Sequence, residues 1–321
     1  MNGASDELLG ELRPVAFAIA YRMLGSVAEA EDVVQEALIR LHRALAHGER
    51  IGSPRAFVAT VTTRLAIDEL RSARARRERY VGEWLPEPIL TDPGSEPERE
   101  AEMADSLSMA MLVLLESLSP DKRAVLLLRD VFDYDYAEIA RILRKSEGNV
   151  RQLAARARKH VDERRPRFES SRRQREELAR RFFAATKHGD LKALESLLAH
   201  DVVLHGDGGG NVPALARSLH GRNRVARTLL AWVGQGARIP GAALRPVEVN
   251  SQPGALLLEG EQVIGVWALD MADGQIQGIK SVVNPDKLRH LGPVGDLGRA
   301  LSTRRSEEQV TARPGAQAGS S

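Results

Sequence analysis

Apolar residues recur at helical spacing through the first part of the chain. One stripe, at spacing i, i+4, i+7 and i+11, is formed by Val34, Leu38, Leu41 and Leu45. This period predicts an amphipathic helix. Ser26, followed by Glu29, predicts the start of that helix through a capping box. Ser53 and Pro54 predict the start of the next helix, because proline is well tolerated at the first helical position.

A second helical pattern covers residues 136–161 and predicts two helices joined by a tight turn at residues 144–146. Asp135 with Glu138 predicts the cap of the first helix, and Ser146 predicts the cap of the second. The inward face of the second helix is formed by Val150, Leu153, Ala154, Ala157 and Val161. Small residues on this face let two helices cross closely, so the pattern predicts a helix-turn-helix.

The pattern changes after about residue 172. Two helices are followed by a third near residues 222–233, and then alternating strands dominate as far as about residue 284. Asp273-Gly274 between two such strands predicts a tight hairpin. Helices followed by a run of antiparallel strands indicate an α+β domain.

Residues 83–104 separate the two helical segments and carry four prolines among many acidic residues. This composition is typical of a linker. The sequence therefore predicts helical domains at 1–82 and 105–168, a linker at 83–104, an α+β domain at 172–291 and a disordered tail at 292–321.

The composition excludes several kinds of chemistry. The chain has no cysteine, so disulfides, thiolate metal sites and cysteine nucleophiles are excluded, and a reducing compartment is favoured. The first residues lack the basic flank of a signal peptide, and no run approaches 18 apolar residues. We expect a cytoplasmic protein with no membrane contact, no cofactor and no metal.

The net charge of +2 conceals two basic blocks. Residues 64–80 hold six arginines against three acids, and residues 144–173 hold eleven lysines and arginines against four acids. Each block alone is typical of a solvated helix face. Two blocks on helical patterns favour nucleic-acid binding.

The outward face of the second helix of the helix-turn-helix suits a major groove. Arginine reads guanine bidentately, glutamine or asparagine reads adenine, and other cations meet phosphates. The candidate residues for this face are Asn149, Arg151, Gln152, Arg156, Arg158 and Lys159. A helical hairpin with a solvated basic face remains the alternative.

Three stretches in order carry a family resemblance: EAEDVVQEALIRLHRAL, SPRAFVATVTTRLAIDELRSARARR, and the helix-turn-helix that begins SPDKRAVLLLRD. Together they resemble an extracytoplasmic-function sigma factor. WLPEPI in the linker, with DGGGNVPA and NPDKL further on, resembles the sigma-J-type subgroup, which carries a fused SnoaL-like domain of the NTF2-like α+β cone fold. The resemblance implies two all-α sigma domains, region 2 and region 4, followed by that cone.

The resemblance implies a role for each helical segment. Helix 28–45 would bind the clamp helices of the RNA polymerase large subunit through its exposed Asp32, Gln35 and Glu36, while the polymerase flap is expected as a further contact. Helix 54–77 would hold the minus-10 element through its outward residues Thr63, Arg64, Asp68, Arg71 and Arg74. The helix over 146–161 would read the minus-35 element. Many family members have a basic residue at the position of Leu153, which here is expected to pack inward.

The stretch VLHGDGGGNVP in the third domain admits several interpretations. His205 and Asp207 would share one face of a strand and form an acid/base pair, but no further partner for catalysis is identifiable. The glycines lack the pattern of a phosphate loop. A sharp turn is favoured, because glycine tolerates positive φ.

The resemblance links this domain to control of sigma activity. Its regulatory residues would lie in three short motifs: Trp84, Leu85 and Pro86; Asp207, Gly208, Gly209 and Gly210; and Asn284, Pro285, Asp286, Lys287 and Leu288. The expected function is an alternative sigma factor that binds core polymerase and promoter DNA, with intramolecular modulation by the cone and a possible small-molecule ligand there. The alternatives are an NTF2-like isomerase or cyclase fused to a DNA-binding domain, and a DNA-binding repressor or activator that does not use polymerase.

Overall fold

The computed structural model describes residues 2–77, 79–91, 106–163 and 171–301, with the side chains of 2–6 and 73–77 excepted. The chain divides into two compact units. Unit 1 comprises residues 1–80 and 85–167, and unit 2 comprises residues 81–84 and 168–321. The predicted linker thus contributes Glu83 and Trp84 to unit 2 and its following residues to unit 1. Most of that linker, the end of the second helical domain and the tail from 302 lie outside the described residues.

The first part of unit 1 contains three helices. They are α1 (Asn2–Leu24), α2 (Val27–Ala46) and α3 (Pro54–Arg77). Gly25, at φ 68°, makes the turn from α1 to α2. Ser26 caps α2 by accepting from the backbone N–H of Glu29, and α3 begins at Pro54. Both helix starts were predicted by the sequence.

Among the described residues of the second part of unit 1, the chain forms four more helices and a π-helical turn. They are α4 (Met109–Glu116), α5 (Pro120–Leu126), the π-helical turn (Leu127–Val131), α6 (Tyr136–Leu143) and α7 (Glu147–Asp162). Both parts of unit 1 contribute to one apolar core, in which Tyr21, Leu41 and Val58 join Leu115 and Ala157. A smaller cluster between α6 and α7 contains Ile139, Ile142, Val150 and Ala154.

Unit 2 is the α+β domain. Its helices are α8 (Arg172–His188), α9 (Leu191–Leu197) and α10 (Arg222–Gly236). Its strands are β1 (Leu198–Asp207), β2 (Leu219–His220), β3 (Ala242–Val249), β4 (Gln252–Glu259), β5 (Gln262–Ala272) and β6 (Gln275–Val282). They form one sheet in the order β2-β1-β6-β5-β4-β3. Among these described strands the β1–β6 pair is parallel and the other neighbouring pairs are antiparallel.

The core of unit 2 lies between the helices and one face of this sheet. Phe182 from α8, Leu229 from α10 and Trp267 from β5 are all buried there. The hairpin between β5 and β6 turns at Asp273 (φ 52°) and Gly274 (φ 69°), as the sequence predicts. Helical sigma-like segments followed by an α+β domain were the expected fold class, and the structure confirms it.

None of the helices in the described part of the chain has the length and apolar character needed to cross a membrane.

The contact between α6 and α7 generates a stability prediction. Ala154 is buried between the two helices, whereas its neighbour Ala155 is exposed. Ala154→Leu should overpack the cluster and destabilise the helix-turn-helix by about 1–3 kcal/mol. Native-state hydrogen exchange of the α6 and α7 amides would measure this loss. Ala155→Leu is the matched control and should change exchange by less than about 0.5 kcal/mol; equal effects of the two changes would contradict the packing described.

Candidate functional site

Local sequence signals define the start of α6, the end of α6 and the start of α7 in the helix-turn-helix. Asp135 accepts from the backbone N–H of Glu138, and the Glu138 carboxylate accepts from the backbone N–H of Asp135, so the predicted capping box is formed. Arg144 ends α6 in the left-handed conformation, at φ 52°. Ser146 caps α7 by accepting from the backbone N–H of Asn149 at 3.3 Å. These caps fix the tight turn and therefore the direction of α7.

The outer face of α7 is polar and exposed. Each predicted minus-35 residue lies on this face: Asn149, Arg151, Gln152, Arg156, Arg158 and Lys159. The opposite face is buried at Val150, Ala154, Ala157 and Val161, while Leu153 is half-buried against the same cluster. The predicted inward packing of Leu153 is confirmed.

Two of these arginines are held by other side chains. The Arg151 guanidinium pairs with Glu147 and lies 4.5 Å from the centre of the Tyr136 ring. Arg158 donates Nε to Asp130 at 3.0 Å, and the same carboxylate pairs with its terminal nitrogen. The hydrogen bond that Arg158 donates to Asp130 raises the pKa of Arg158. Arg158 therefore ties α7 to the π-helical turn.

One predicted residue of α3 was placed wrongly. Thr63 was expected on the outward face, but it is fully buried. The family resemblance implied an outward Thr63, whereas α3 packs against helices from both parts of unit 1 and buries Thr62 as well.

Arg64 and Arg71 of α3 contact the second part of unit 1. Arg64 donates Nε to the carbonyl of Ile142 at 2.8 Å and a terminal nitrogen to the carbonyl of Arg141 at 3.0 Å. Burial lowers the pKa of Arg64, and nearby Arg144 lowers it further. Arg71 lies 3.4 Å from Asp121.

Two minus-10 candidates remain, Asp68 and Arg74. Asp68 is exposed and lies 3.4 Å from Arg71. The side chain of Arg74 lies outside the described residues.

The acidic face of α2 is presented to solvent. Asp32 and Gln35 are exposed, and the half-buried Glu36 accepts from Arg40 at 2.7 Å. The apolar stripe predicted for this helix faces the core through Val34 and Leu41.

The start of α2 is completed by a residue of the predicted linker. Glu87 is buried, with an exposed fraction of 8%. Its Oε1 accepts from the Ser26 hydroxyl at 2.8 Å, and its Oε2 accepts from the backbone N–H groups of Val27 at 2.7 Å and Ala28 at 3.3 Å. Glu87 lies within the WLPEPI stretch that carried the resemblance, but nothing in the sequence indicated that its carboxylate meets a helix more than fifty residues earlier.

In unit 2, Trp84 of the first predicted regulatory motif meets residues of the other two motifs around a buried ion pair. Asp207, at the end of β1, has no exposed surface. Its Oδ2 accepts from the Lys287 ammonium at 2.7 Å, and its Oδ1 accepts from the backbone N–H of Gly209 at 3.1 Å. The Lys287 ammonium in turn lies 4.1 Å from the centre of the Trp84 ring, which is cation–π distance.

The backbone of the glycine turn, residues 208–210, packs closely against the side chain of Asn284. Gly209 (φ 62°) and Gly210 (φ 75°) have positive φ. A Cβ on Gly209 would lie 2.3 Å from Nδ2 of Asn284, and one on Gly208 would lie 2.4 Å from the carbonyl oxygen of Val212. The Asp207 carbonyl accepts from the backbone N–H groups of Val283 at 2.8 Å and Asn284 at 3.0 Å. Glycine is therefore required here for both conformation and space.

The rest of the third motif forms a short 3₁₀ turn. Asn284 caps it by accepting from the backbone N–H of Asp286 at 3.1 Å, and the turn runs over Pro285–Lys287. Leu288 is fully buried, whereas Asp286 is exposed and pairs with Arg289. Leu85 and Pro86, from the first motif, belong to unit 1 and are buried.

A second cluster holds the linker segment of unit 2. One carboxylate oxygen of Glu83 lies 2.6 Å from Nδ1 of His205, and the other accepts from the Ser218 hydroxyl at 3.0 Å. Burial raises the pKa of Glu83, but the hydrogen bond from His205 and further polar contacts outweigh it, so its pKa is lowered overall. The sequence pointed to His205 only as a possible acid/base, and gave no signal for Glu83 or Ser218.

These features define a class of protein: a helical DNA-binding chain with a helix-turn-helix and a fused α+β unit. Family models described as sigma-70 region 2 and sigma-70 region 4 match residues 8–76 and 108–161. The ECF RNA polymerase sigma factor SigJ of Mycobacterium tuberculosis is 37% identical over 287 residues, which cover 86% of this chain and 90% of SigJ. The chain therefore belongs to the extracytoplasmic-function RNA polymerase sigma factors.

Two further comparisons extend over both units. The probable ECF RNA polymerase sigma factor SigI of Mycobacterium tuberculosis is 32% identical over 272 residues, covering 84% of this chain and 90% of SigI. The crystal structure of Mycobacterium tuberculosis SigJ superposes with a TM-score of 0.70 at 33% identity, covering 88% of this chain and 98% of that one. The family resemblance inferred from the sequence is confirmed.

The buried ion pair of unit 2 generates a stability prediction. Asp207→Asn should leave the buried Lys287 ammonium without its carboxylate and destabilise unit 2 by about 3–5 kcal/mol. Urea unfolding followed by hydrogen exchange of the β1 and β6 amides would measure the loss. Asp286→Asn is the control on the same turn, because this exposed carboxylate contributes at most about 1 kcal/mol. If both variants unfolded at the same urea concentration as the native chain, the ion pair would not contribute to the stability of unit 2.

Proposed function

We propose that the chain is an alternative sigma factor that binds core RNA polymerase, reads the minus-35 and minus-10 promoter elements and starts transcription in the cytoplasm. The observation that carries the proposal is the exposed polar face of α7 on a fully capped helix-turn-helix. Gln152 and Arg156 stand at its centre as base readers, and Asn149 and Lys159 extend it. Arg151 has to exchange Glu147 for DNA, and Arg158 contributes by holding the helix in place.

Region 2 supplies the remaining contacts in this proposal. The exposed Asp32 and Gln35 of α2, with Glu36 beside them, meet the polymerase clamp helices. Arg64, Asp68 and Arg71 of α3 meet the minus-10 element. Arg64 has to release the carbonyls of Arg141 and Ile142 before it reaches DNA.

The proposed role needs no chemistry from this chain, since nucleotidyl transfer belongs to polymerase. His205 and Asp207, the pair that suggested acid/base catalysis, each have another partner. His205 binds Glu83, and Asp207 binds Lys287. These contacts favour a structural use of both residues over an isomerase or cyclase site.

We further propose that unit 2 modulates the sigma activity in cis through the linker. Trp84 on Lys287, and Glu83 on His205 and Ser218, attach the linker to unit 2, and the linker continues directly into unit 1. In this proposal unit 2 acts on the two sigma domains through the linker. The bounds predicted from the sequence, 1–82, 105–168 and 172–291 for the domains and 83–104 for the linker, are part of the proposal.

Transcription in vitro tests the sigma function. Core polymerase with the full chain should give promoter-specific transcripts from a library randomised at the minus-35 and minus-10 elements, and core polymerase alone should not. An absence of enriched promoter sequences with the full chain would overturn the proposal. Enrichment of DNA binding without transcripts would favour a repressor or activator.

Arg151→Ala tests base reading by α7. The loss should be about 1–3 kcal/mol at one base pair and should relax the preference there. Quantitative promoter competition with holoenzyme would measure it across all single-base variants. A uniform loss on every sequence would show that Arg151 contacts phosphate only.

Gly209→Ala tests the modulation by unit 2. The new Cβ would meet Asn284 and displace the motifs around Asp207, so transcription output at fixed holoenzyme concentration should change severalfold. Gly260→Ala is a matched control, because Gly260 has nearly the same φ (61° against 62°) but nothing within 4 Å of its Cβ position. Equal transcription output from both variants and the native chain would show that the glycine turn has only a structural role.

A further inference from the structure

The N-terminus of α2 depends on a residue distant in sequence. The first N–H groups of a helix have no intrahelical acceptor and need an outside partner. The sequence predicted a local solution, a reciprocal box between Ser26 and Glu29. Ser26 does accept from the Glu29 N–H at 3.2 Å. The carboxylate that accepts from the Val27 and Ala28 N–H groups is that of Glu87.

The backbone of Glu87 is fixed as firmly as its side chain. Its N–H donates to the carbonyl of Gly25 at 2.8 Å, and its carbonyl accepts from the hydroxyl of the fully buried Tyr21 at 2.6 Å. The carboxylate thus lies at the positive end of the α2 dipole with both oxygens bonded, which is a favourable place for a negative charge. These contacts join the linker to the end of α1, the Gly25 turn and the first turn of α2.

The helix that Glu87 caps is the one that carries Asp32 and Gln35. Those two residues follow the capped N–H groups by one to two turns, so the cap sets the start and direction of the surface they form. Glu87 also follows, by three residues, the Trp84 that unit 2 holds against Lys287. The linker thereby connects a side chain held by unit 2 with the cap of α2.

We propose that Glu87 is a positioning residue for polymerase binding: it holds the polymerase-binding helix at its N-terminus and transmits to it the state of the linker. The proposal rests on the function proposed above for α2. Glu87 itself touches neither polymerase nor DNA in this assignment. It acts through α2, and its effect should appear in the affinity for core polymerase.

The test compares full-length variants in binding to core polymerase. Glu87→Gln should weaken the Kd for core polymerase about tenfold, the loss expected when a charge-assisted hydrogen bond at the cap is removed. The amides of Val27 and Ala28 should exchange faster. Transcription at saturating core polymerase should return to the native level, which a general loss of fold would not allow. Glu87→Asp keeps the charge and should restore most of the affinity, so the proposal stays testable if Glu87→Gln folds poorly.

Two controls separate the possible failures. Glu31→Gln removes the same charge from the exposed surface of α2, where Glu31 pairs with Arg13, and should leave the Kd within about twofold. Asp32→Ala tests the polymerase surface directly. If Asp32→Ala has no effect, the function proposed for α2 fails. If Asp32→Ala weakens binding but Glu87→Gln does not, only the role of Glu87 is overturned.

A double-mutant cycle tests transmission along the linker. Trp84→Ala and Glu87→Gln should be non-additive in the Kd for core polymerase if the hold of unit 2 on Trp84 reaches α2 through Glu87. Additive effects would overturn the transmission, while the cap would remain supported by the single variants.

Discussion

A buried carboxylate loses its hydrogen bonds to water and needs protein donors in their place. Asp207 finds these donors in two motifs, the glycine turn and the 3₁₀ turn that contains Lys287. Leaving such a charge uncompensated costs several kcal/mol, so its partners are fixed as a set. The Gly209 N–H reaches it because the glycine turn adopts positive φ. The Lys287 ammonium reaches it because the 3₁₀ turn begins directly after β6, where Asp207 also binds the backbone. Once paired, the ammonium offers its remaining positive surface to the Trp84 ring.

The described part of the linker, residues 83–91, is held by buried or half-buried carboxylates in both units. Glu83 is bonded by His205 and Ser218 in unit 2, and Glu87 is bonded by the first turn of α2 in unit 1. These charge-assisted hydrogen bonds act beside apolar burial, since Leu85 and Pro86 are buried and Ile89 packs against the core of unit 1. The acidic character that suggested a solvated linker is, at Glu83 and Glu87, what attaches it.

Features that depend on near neighbours could be predicted from the sequence. The capping box at Asp135 and Glu138, the Asp273-Gly274 hairpin and the buried stripe of α7 all arise within a few residues of chain. Residues whose surroundings come from distant segments could not. Thr63 was expected to point outward. It is buried because α3 packs against helices from both parts of unit 1. The contacts of Glu87 and Glu83 could not be predicted, although Glu87 lies in the WLPEPI stretch, since their partners lie more than fifty and more than one hundred residues away.

Arg64 shows how one side chain can serve two partners of similar chemistry. The carbonyls of Arg141 and Ile142 lie in the last turn of α6, where a helix has acceptors without intrahelical donors and a partial negative charge. This end of α6 offers the guanidinium what a DNA phosphate offers, but with neutral acceptors. Burial lowers the pKa of Arg64, and the nearby Arg144 lowers it further. The two carbonyls therefore do not fully replace the hydration that the guanidinium loses. The hydrogen bonds from Arg64 to these carbonyls are already charge-assisted through the ionised guanidinium, but a carbonyl carries no net negative charge to balance it. In the function proposed above, a DNA phosphate would supply that charge and would take the place of the contact between Arg64 and α6.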